Sequence, residues 1–166
     1  MKKSDGLSRA VIMCGISGSG KTFNALRLLS EGYVRLSADA LVWQRAGSSL
    51  FSLPKEDQQR LFEESREEVK RQLVELLRSG RKVVVDATHC RRSVRDDIRK
   101  VCAEAGVKPL FAFCSADKEE LWRRLSQREG KGPDDLIVTR EALEKYWQGF
   151  ERPLPDETDF ILMDQE

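Results

Sequence analysis

Ala10-Val-Ile-Met-Cys14-Gly15-Ile-Ser-Gly-Ser-Gly20-Lys21-Thr22 is an apolar run that breaks into glycines and ends on a lysine and a threonine. The run reads as a strand, the glycines as a turn, and Thr22–Ser30, with Phe23, Leu26, Leu28 and Leu29, as the helix after it. Gly15 to Thr22 matches the spacing G-x-x-x-x-G-K-[ST]. A triphosphate needs many hydrogen-bond donors converging on a small space. Backbone N–H groups converge only where side chains do not obstruct them, and Gly15, Gly18 and Gly20 can all take positive φ. The turn then enters a helix N-terminus, whose free N–H groups and dipole favour anions. Lys21 is expected to reach the β- and γ-phosphates of ATP, and the Thr22 hydroxyl to ligate Mg²⁺. The nucleotide-binding stretch is therefore read as Gly15, Ile16, Ser17, Gly18, Ser19, Gly20, Lys21, Thr22 and Phe23.

Outward from that stretch, strand and helix signals alternate, which predicts an α/β fold with a mainly parallel sheet of five strands. The further strands are Tyr33–Leu36, Lys82–Val85, Leu110–Cys114 and Phe160–Met163. The helices are Asp39–Arg45, Lys55–Arg78, Val94–Ala105 with Ser93 as its cap, Lys118–Glu129 capped by Asp117, and Arg140–Gln148. Gly47–Leu53 reads as a loop. In Lys55–Arg78 the apolar residues fall largely on one face, and Gly80 and Gly106 act as helix stops. No repeat or linker divides the chain, so residues 1–166 are read as a single P-loop kinase domain.

The bulk numbers restrict the function. The 166 residues are 40% hydrophobic and 34% charged, with 29 Lys plus Arg against 28 Asp plus Glu. A net charge of +1 argues against holding long nucleic acid by bulk charge. Cys14, Cys90, Cys102 and Cys114 lack C-x-x-C spacing and read as small core residues in a reducing cytosol. No apolar run approaches membrane-spanning length, and Met1–Arg9 carries no signal-peptide hydrophobic segment, so the chain is expected to be cytoplasmic with no membrane partner. His89 is the sole histidine, which excludes a metal site built on several imidazoles.

Two carboxylates stand where transfer chemistry would need them. Asp86 follows the apolar run Val83–Val85, and strand C-terminal ends in a parallel sheet face the ligand crevice. It is a candidate Mg²⁺ partner of Thr22, or else a turn cap. Asp39, in Ser37-Ala38-Asp39, lies after the second strand. It is a candidate general base for a hydroxyl acceptor, and a candidate N-cap of the next helix. Arg124 and Arg128, before Gly130-Lys131-Gly132-Pro133, could close a mobile lid over the γ-phosphate. Arg92 and Arg95 could bind an anionic acceptor.

Taken in order, Gly15–Thr22, Ser37-Ala38-Asp39, Val85-Asp86-Ala87-Thr88, the lid arginines and Phe150–Glu157 resemble the polynucleotide-kinase-like P-loop family. Bacteriophage polynucleotide kinase, the kinase modules of RNA repair enzymes, chloramphenicol phosphotransferase and zeta toxins belong to that neighbourhood. The resemblance spans nearly the whole chain. It implies a doubly wound sheet and transfer of the γ-phosphate of ATP to a hydroxyl, in first place the 5′-hydroxyl of a nucleic acid or nucleotide, with a small molecule such as a nucleoside, sugar or antibiotic as the alternative acceptor. A non-catalytic ATP sensor is the alternative outside catalysis. By the same resemblance Asp39 matches the base, Asp86 the acid after the third strand, and Arg124 and Arg128 the lid arginines. Phe150–Glu157 matches a segment near the adenosine site. One departure bears on the acceptor: the phage motif has an arginine three residues after the base, and here that position is Val42.

Overall fold

β1 (Ala10–Cys14) is buried along its whole length, because it lies at the centre of a five-stranded sheet. In the computed structural model, which describes residues 7–163, the strand order is β2-β3-β1-β4-β5 and every pairing is parallel. The other strands are β2 (Tyr33–Leu36), β3 (Lys82–Val85), β4 (Leu110–Phe113) and β5 (Phe160–Leu162). Parallel neighbours require crossovers, and the helices supply them: α1 (Lys21–Leu29), α2 (Ala38–Ala46), α3 (Lys55–Arg78), α4 (Arg92–Glu104), α5 (Lys118–Leu125) and α6 (Arg140–Gly149). The expectation of one domain over residues 1–166 extends past the described residues at both ends.

Alternation along β1 builds a core on each side of the sheet. Ala10, Ile12 and Cys14 pack with Val69, Leu73 and Leu77 of α3 and Ile98 and Cys102 of α4. Val11 and Met13 point the other way, against Ala25 and Leu28 of α1. Two smaller clusters lie beyond the sheet. Ile16, Leu121, Leu125 and Leu143 join the glycine turn to α5 and α6. Val42, Leu50 and Leu136 join α2 to the segment after α5.

Several boundaries differ from the sequence reading. Residues 47–53 are not an open loop: Gly47–Ser52 is a 3₁₀ helix whose Leu50 is buried. α4 starts at Arg92, with Arg91 rather than Ser93 in the cap position. Its first turn is served from a distance, since the Arg92 N–H donates to Glu151 Oε2 at 2.8 Å. Ser37, not Asp39, caps α2: its hydroxyl accepts from the Ala40 N–H. Asp39 is thus free of a capping duty. Asp117 caps α5 as expected, but α5 ends at Leu125, so Arg128 lies beyond the helix and does not share a helical face with Arg124. Cys14, Cys102 and Cys114 are buried, Cys90 is half-buried, and all four are free thiols. Among the described residues, no helix is long and apolar enough to cross a membrane.

Candidate active site

The glycine turn folds as a cradle. Gly15, Gly18 and Gly20 have φ of 155°, 86° and 99°. A Cβ on Gly15 would lie 2.4 Å from the Cys114 carbonyl oxygen, so the close approach of the turn to the end of β4 requires glycine. The Gly15 N–H donates to the Thr88 carbonyl and the Ser19 N–H to that of Ile16. Gly20 precedes α1 with no side-chain cap bond, which leaves the first-turn donors directed at the space above the turn. Ser19 Oγ is buried there without a hydrogen-bond partner.

Lys21 is buried and donates to the Ile16 carbonyl at 2.9 Å. Burial pushes its pKa down, while the charges of Asp86 and Asp39 pull it back up. Thr22 Oγ1 donates to Asp86 Oδ2 at 2.9 Å, joining the start of α1 to the end of β3. The two side chains expected to share a cation therefore meet. The donor set also fits Mg²⁺, which takes one or two protein oxygens and draws the rest from water and phosphate. Among the described residues, no cluster of three or more His, Cys, Asp or Glu is placed to hold a metal by itself.

Arg35 is a partner that no motif announced. It sits on β2 beside Val84 of β3 and reaches Asp86 Oδ2 with Nε at 3.0 Å and Nη2 at 2.7 Å. The same guanidinium contacts Asp134 Oδ1 at 2.6 Å. A signal was available: an arginine inside a strand of a parallel sheet, whose strands are normally apolar, calls for buried carboxylate partners.

Asp39, near the start of α2, is exposed, yet lies near enough to Asp86, Lys21 and Arg128 to feel their charges. The protein packed around it, and then the charge of Asp86, push its carboxyl pKa up. Lys21 and Arg128 act in the opposite direction, and Asp134 adds to the rise. Tyr146 of α6 is near enough to feel the same carboxylate: burial first, then the charges of Asp39 and Cys90, raise its phenol pKa. Sequence reasoning missed Tyr146, which stands on the outer side of a short amphipathic helix with no motif around it.

Arg124 and Arg128 both approach the cradle. Arg124 donates from Nη1 to the Gly18 carbonyl at 2.9 Å and from Nε to Glu120 at 2.8 Å. Arg128 donates to the Leu136 carbonyl and lies close enough to act electrostatically on Lys21 and Asp39. The tract expected to be a mobile lid is folded around Asp135. That carboxylate accepts from the Glu129 and Lys131 N–H groups, while Leu136 is buried against Val42.

The two arginines expected to bind an anionic acceptor are occupied elsewhere. Arg95 is 0% exposed and forms a paired contact with Glu157, at 2.8 and 2.9 Å, besides donating to the His89 and Glu151 carbonyls. Its place on the core face of α4, in register with Ile98 and Cys102, explains the burial. Arg92 bonds Asp96 and Asp156. Both fasten the segment after α6 to α4. Phe150 in that segment stacks on Phe113, with ring centroids 5.7 Å apart. His89 is a turn residue, with φ 46° and Nδ1 on the Met13 carbonyl at 2.8 Å, and burial holds its pKa down at about 4.

Solved structures of kinases share the fold. The chain is similar to a sugar kinase of Janibacter sp. HTCC2649, with TM-score 0.65 and 25% identity over 95% of this chain and 85% of that one. It is similar to a gluconokinase of Sinorhizobium meliloti 1021, with TM-score 0.63 and 22% identity over 92% and 80%. A chain of the Pnkp1/Rnl/Hen1 RNA repair complex matches at TM-score 0.70 and 23% identity over 90% of this chain, but only 46% of that longer one. No curated protein matches the sequence. The fold is that of a kinase-like P-loop NTPase, and residues 11–153 match the family described as AAA domain, to which this chain belongs.

Proposed function

We propose that this chain is a single-domain kinase that moves the γ-phosphate of ATP to the hydroxyl of a small, uncharged acceptor. The observation that carries the reading is the make-up of the crevice around Asp39. Its open carboxylate sits under the influence of Asp86, Asp134, Lys21 and Arg128, and its charge is felt by the Tyr146 phenol. An acceptor bearing its own phosphate would meet three carboxylates there. Of the cations nearby, Lys21 and Arg128 serve the nucleotide phosphates in this reading, Arg35 is engaged by two of those acids, and Arg92 and Arg95 by the segment after α6. Val42, where an acceptor-phosphate arginine would stand, is 0% exposed. The 25% identity to a sugar kinase supports the same acceptor class.

The roles follow from position. Gly15 to Phe23 cradle the phosphates, and Lys21 pairs with the β- and γ-groups. Thr22 and Asp86 would hold Mg²⁺, which neutralises phosphate charge when bound. Asp39 accepts the hydroxyl proton as the acceptor oxygen bonds to the γ-phosphorus; the bond to the β–γ bridging oxygen breaks and ADP leaves. Arg124 and Arg128 offset the charge on the transferring group. The test is ADP release from Mg·ATP with a panel of sugars and nucleosides beside a 5′-hydroxyl oligonucleotide. Turnover on small hydroxyl compounds is expected. Turnover on the oligonucleotide alone would overturn the acceptor class, and none on any compound would overturn the kinase reading.

A further inference from the structure

Arg35 divides one guanidinium between two carboxylates that belong to different parts of the molecule. Asp86 directly follows β3, and its side chain is 4% exposed. Asp134 belongs to the turn after α5, and its side chain is 39% exposed. Asp86 Oδ2 receives three donors at once: Thr22 Oγ1 and two nitrogens of Arg35. That oxygen is also the one a cation shared with Thr22 would take. A divalent ion and a guanidinium on the same oxygen would repel strongly in so dry a place.

We infer that Arg35 is a positioning residue that holds the place of Mg²⁺ at Asp86 and hands its charge to Asp134 when the ion binds. This rests on the reading of Thr22 and Asp86 as the Mg²⁺ pair. The guanidinium has a destination already formed, because Nη1 and Nη2 both reach Asp134, at 3.3 and 2.6 Å. Asp134 is next to Asp135, whose carboxylate organises the 129–131 backbone, and two residues from Leu136, which is buried on α2. Arrival of the ion at the glycine turn is thereby felt by the segment that carries Arg128 and by the wall that carries Asp39. Arg35 touches neither phosphate nor acceptor in this scheme.

The relay makes a prediction that simple packing does not. Removing Arg35 removes the competitor, so Arg35→Gln should tighten the Mg²⁺ midpoint for binding an ATP analogue by about fivefold. Removing Asp134 leaves Arg35 with Asp86 alone, so Asp134→Asn should weaken it by a similar factor of about five. Both variants should speed tryptic cleavage after Lys131, because both release the turn from β2. The double variant should match Arg35→Gln. Midpoint shifts of the same sign in the two single variants, or no shift in either, would overturn the relay. If Arg35→Gln does not fold, Asp134→Asn decides alone, since it alters a partly exposed carboxylate: an unchanged or tighter midpoint overturns the proposal. Asp86→Asn separates the two levels. If it abolishes the Mg²⁺ dependence while the opposed shifts are missing, only the relay fails. If Asp86→Asn keeps the full Mg²⁺ dependence, the metal reading fails and the relay with it.

Discussion

Thr22 Oγ1 and Asp86 Oδ2 are 2.9 Å apart, although 64 residues separate them in the chain. The contact exists because β1 and β3 are adjacent and in register, Ile12 beside Val85, so that the segments leaving the two strands emerge at the same edge. Sheet order thus turns two remote polar residues into one donor pair. The contact also predicts how the site responds to loss of the hydroxyl. Thr22→Val keeps the shape and removes one of three donors to a buried carboxylate. With Arg35 still in place, the stability cost should be modest, about 1 kcal/mol by urea unfolding. Nucleotide binding should lose most of its Mg²⁺ dependence, read by calorimetry with and without the ion. A variant that binds with unchanged Mg²⁺ dependence would remove Thr22 from the metal site.

Asp39 predicts a trade between stability and activity. Its carboxyl pKa is raised, by the surrounding protein and then by Asp86. A raised carboxyl pKa means the folded state takes up the proton more readily than the unfolded chain, so ionised Asp39 opposes folding at neutral pH and this penalty fades as pH falls through the raised value. Asp39→Asn should therefore raise the melting temperature at neutral pH, with the gain shrinking in acid. Turnover should drop by about 10²- to 10⁴-fold while ATP affinity holds. The wild-type rate should fall with pH as the base becomes protonated, and the residual rate of Asp39→Asn should lack that limb.

Gly15 and Gly132 offer a matched comparison. An added Cβ meets the Cys114 carbonyl at 2.4 Å at the first and nothing within 4 Å at the second. Gly15 also has φ 155°, near the edge of the region that side chains avoid. Gly15→Ala should abolish nucleotide binding and lower the melting temperature. Gly132→Ala should change neither by more than about 0.5 kcal/mol equivalent. Equal effects would mean that the turn tolerates displacement and that its amides are not preset for phosphate.

The glycine turn and the strand order were legible because each rests on local pattern: apolar runs of strand length, glycines at fixed spacing, helices between. Asp86 and Thr22 could be paired by sheet logic alone. Arg95 shows what local pattern hides. Arg91, Arg92, Arg95 and Arg99, at the start and along one helix, look like a charged patch, but Arg95, Ile98 and Cys102 recur on a single helical face, and that face is the core. Periodicity read for charged as well as apolar residues would have marked Arg95 as buried and in need of an acid. Which acid could not be found that way, because Glu157 lies 62 residues on. Asp134 and Tyr146 were out of reach for the same reason, since the fold rather than any motif brings their ionisable groups and that of Asp39 within range of one another.

The Arg95–Glu157 pair ties stability to pH in acid. Both side chains are 0% exposed, and Glu157 also accepts from Arg99 and the Leu154 N–H. Burial alone would raise the Glu157 pKa, but the hydrogen bonds from Arg95, Leu154 and Arg99 outweigh it and hold the pKa down, from 4.5 to about 2. A depressed carboxyl pKa gives stability that is complete above the unfolded value and is lost as pH falls towards the folded one. The wild type should therefore lose this contribution between about pH 4.5 and about pH 2. Glu157→Gln strands a buried guanidinium and should cost about 3–5 kcal/mol at neutral pH by urea unfolding. Its stability should also vary less than the wild type's across that acid window. Arg95→Met combined with Glu157→Gln should recover part of the loss, because no buried charge is then left without a partner. A double variant no more stable than Glu157→Gln would place the cost in lost packing of the segment after α6 rather than in an unpaired charge.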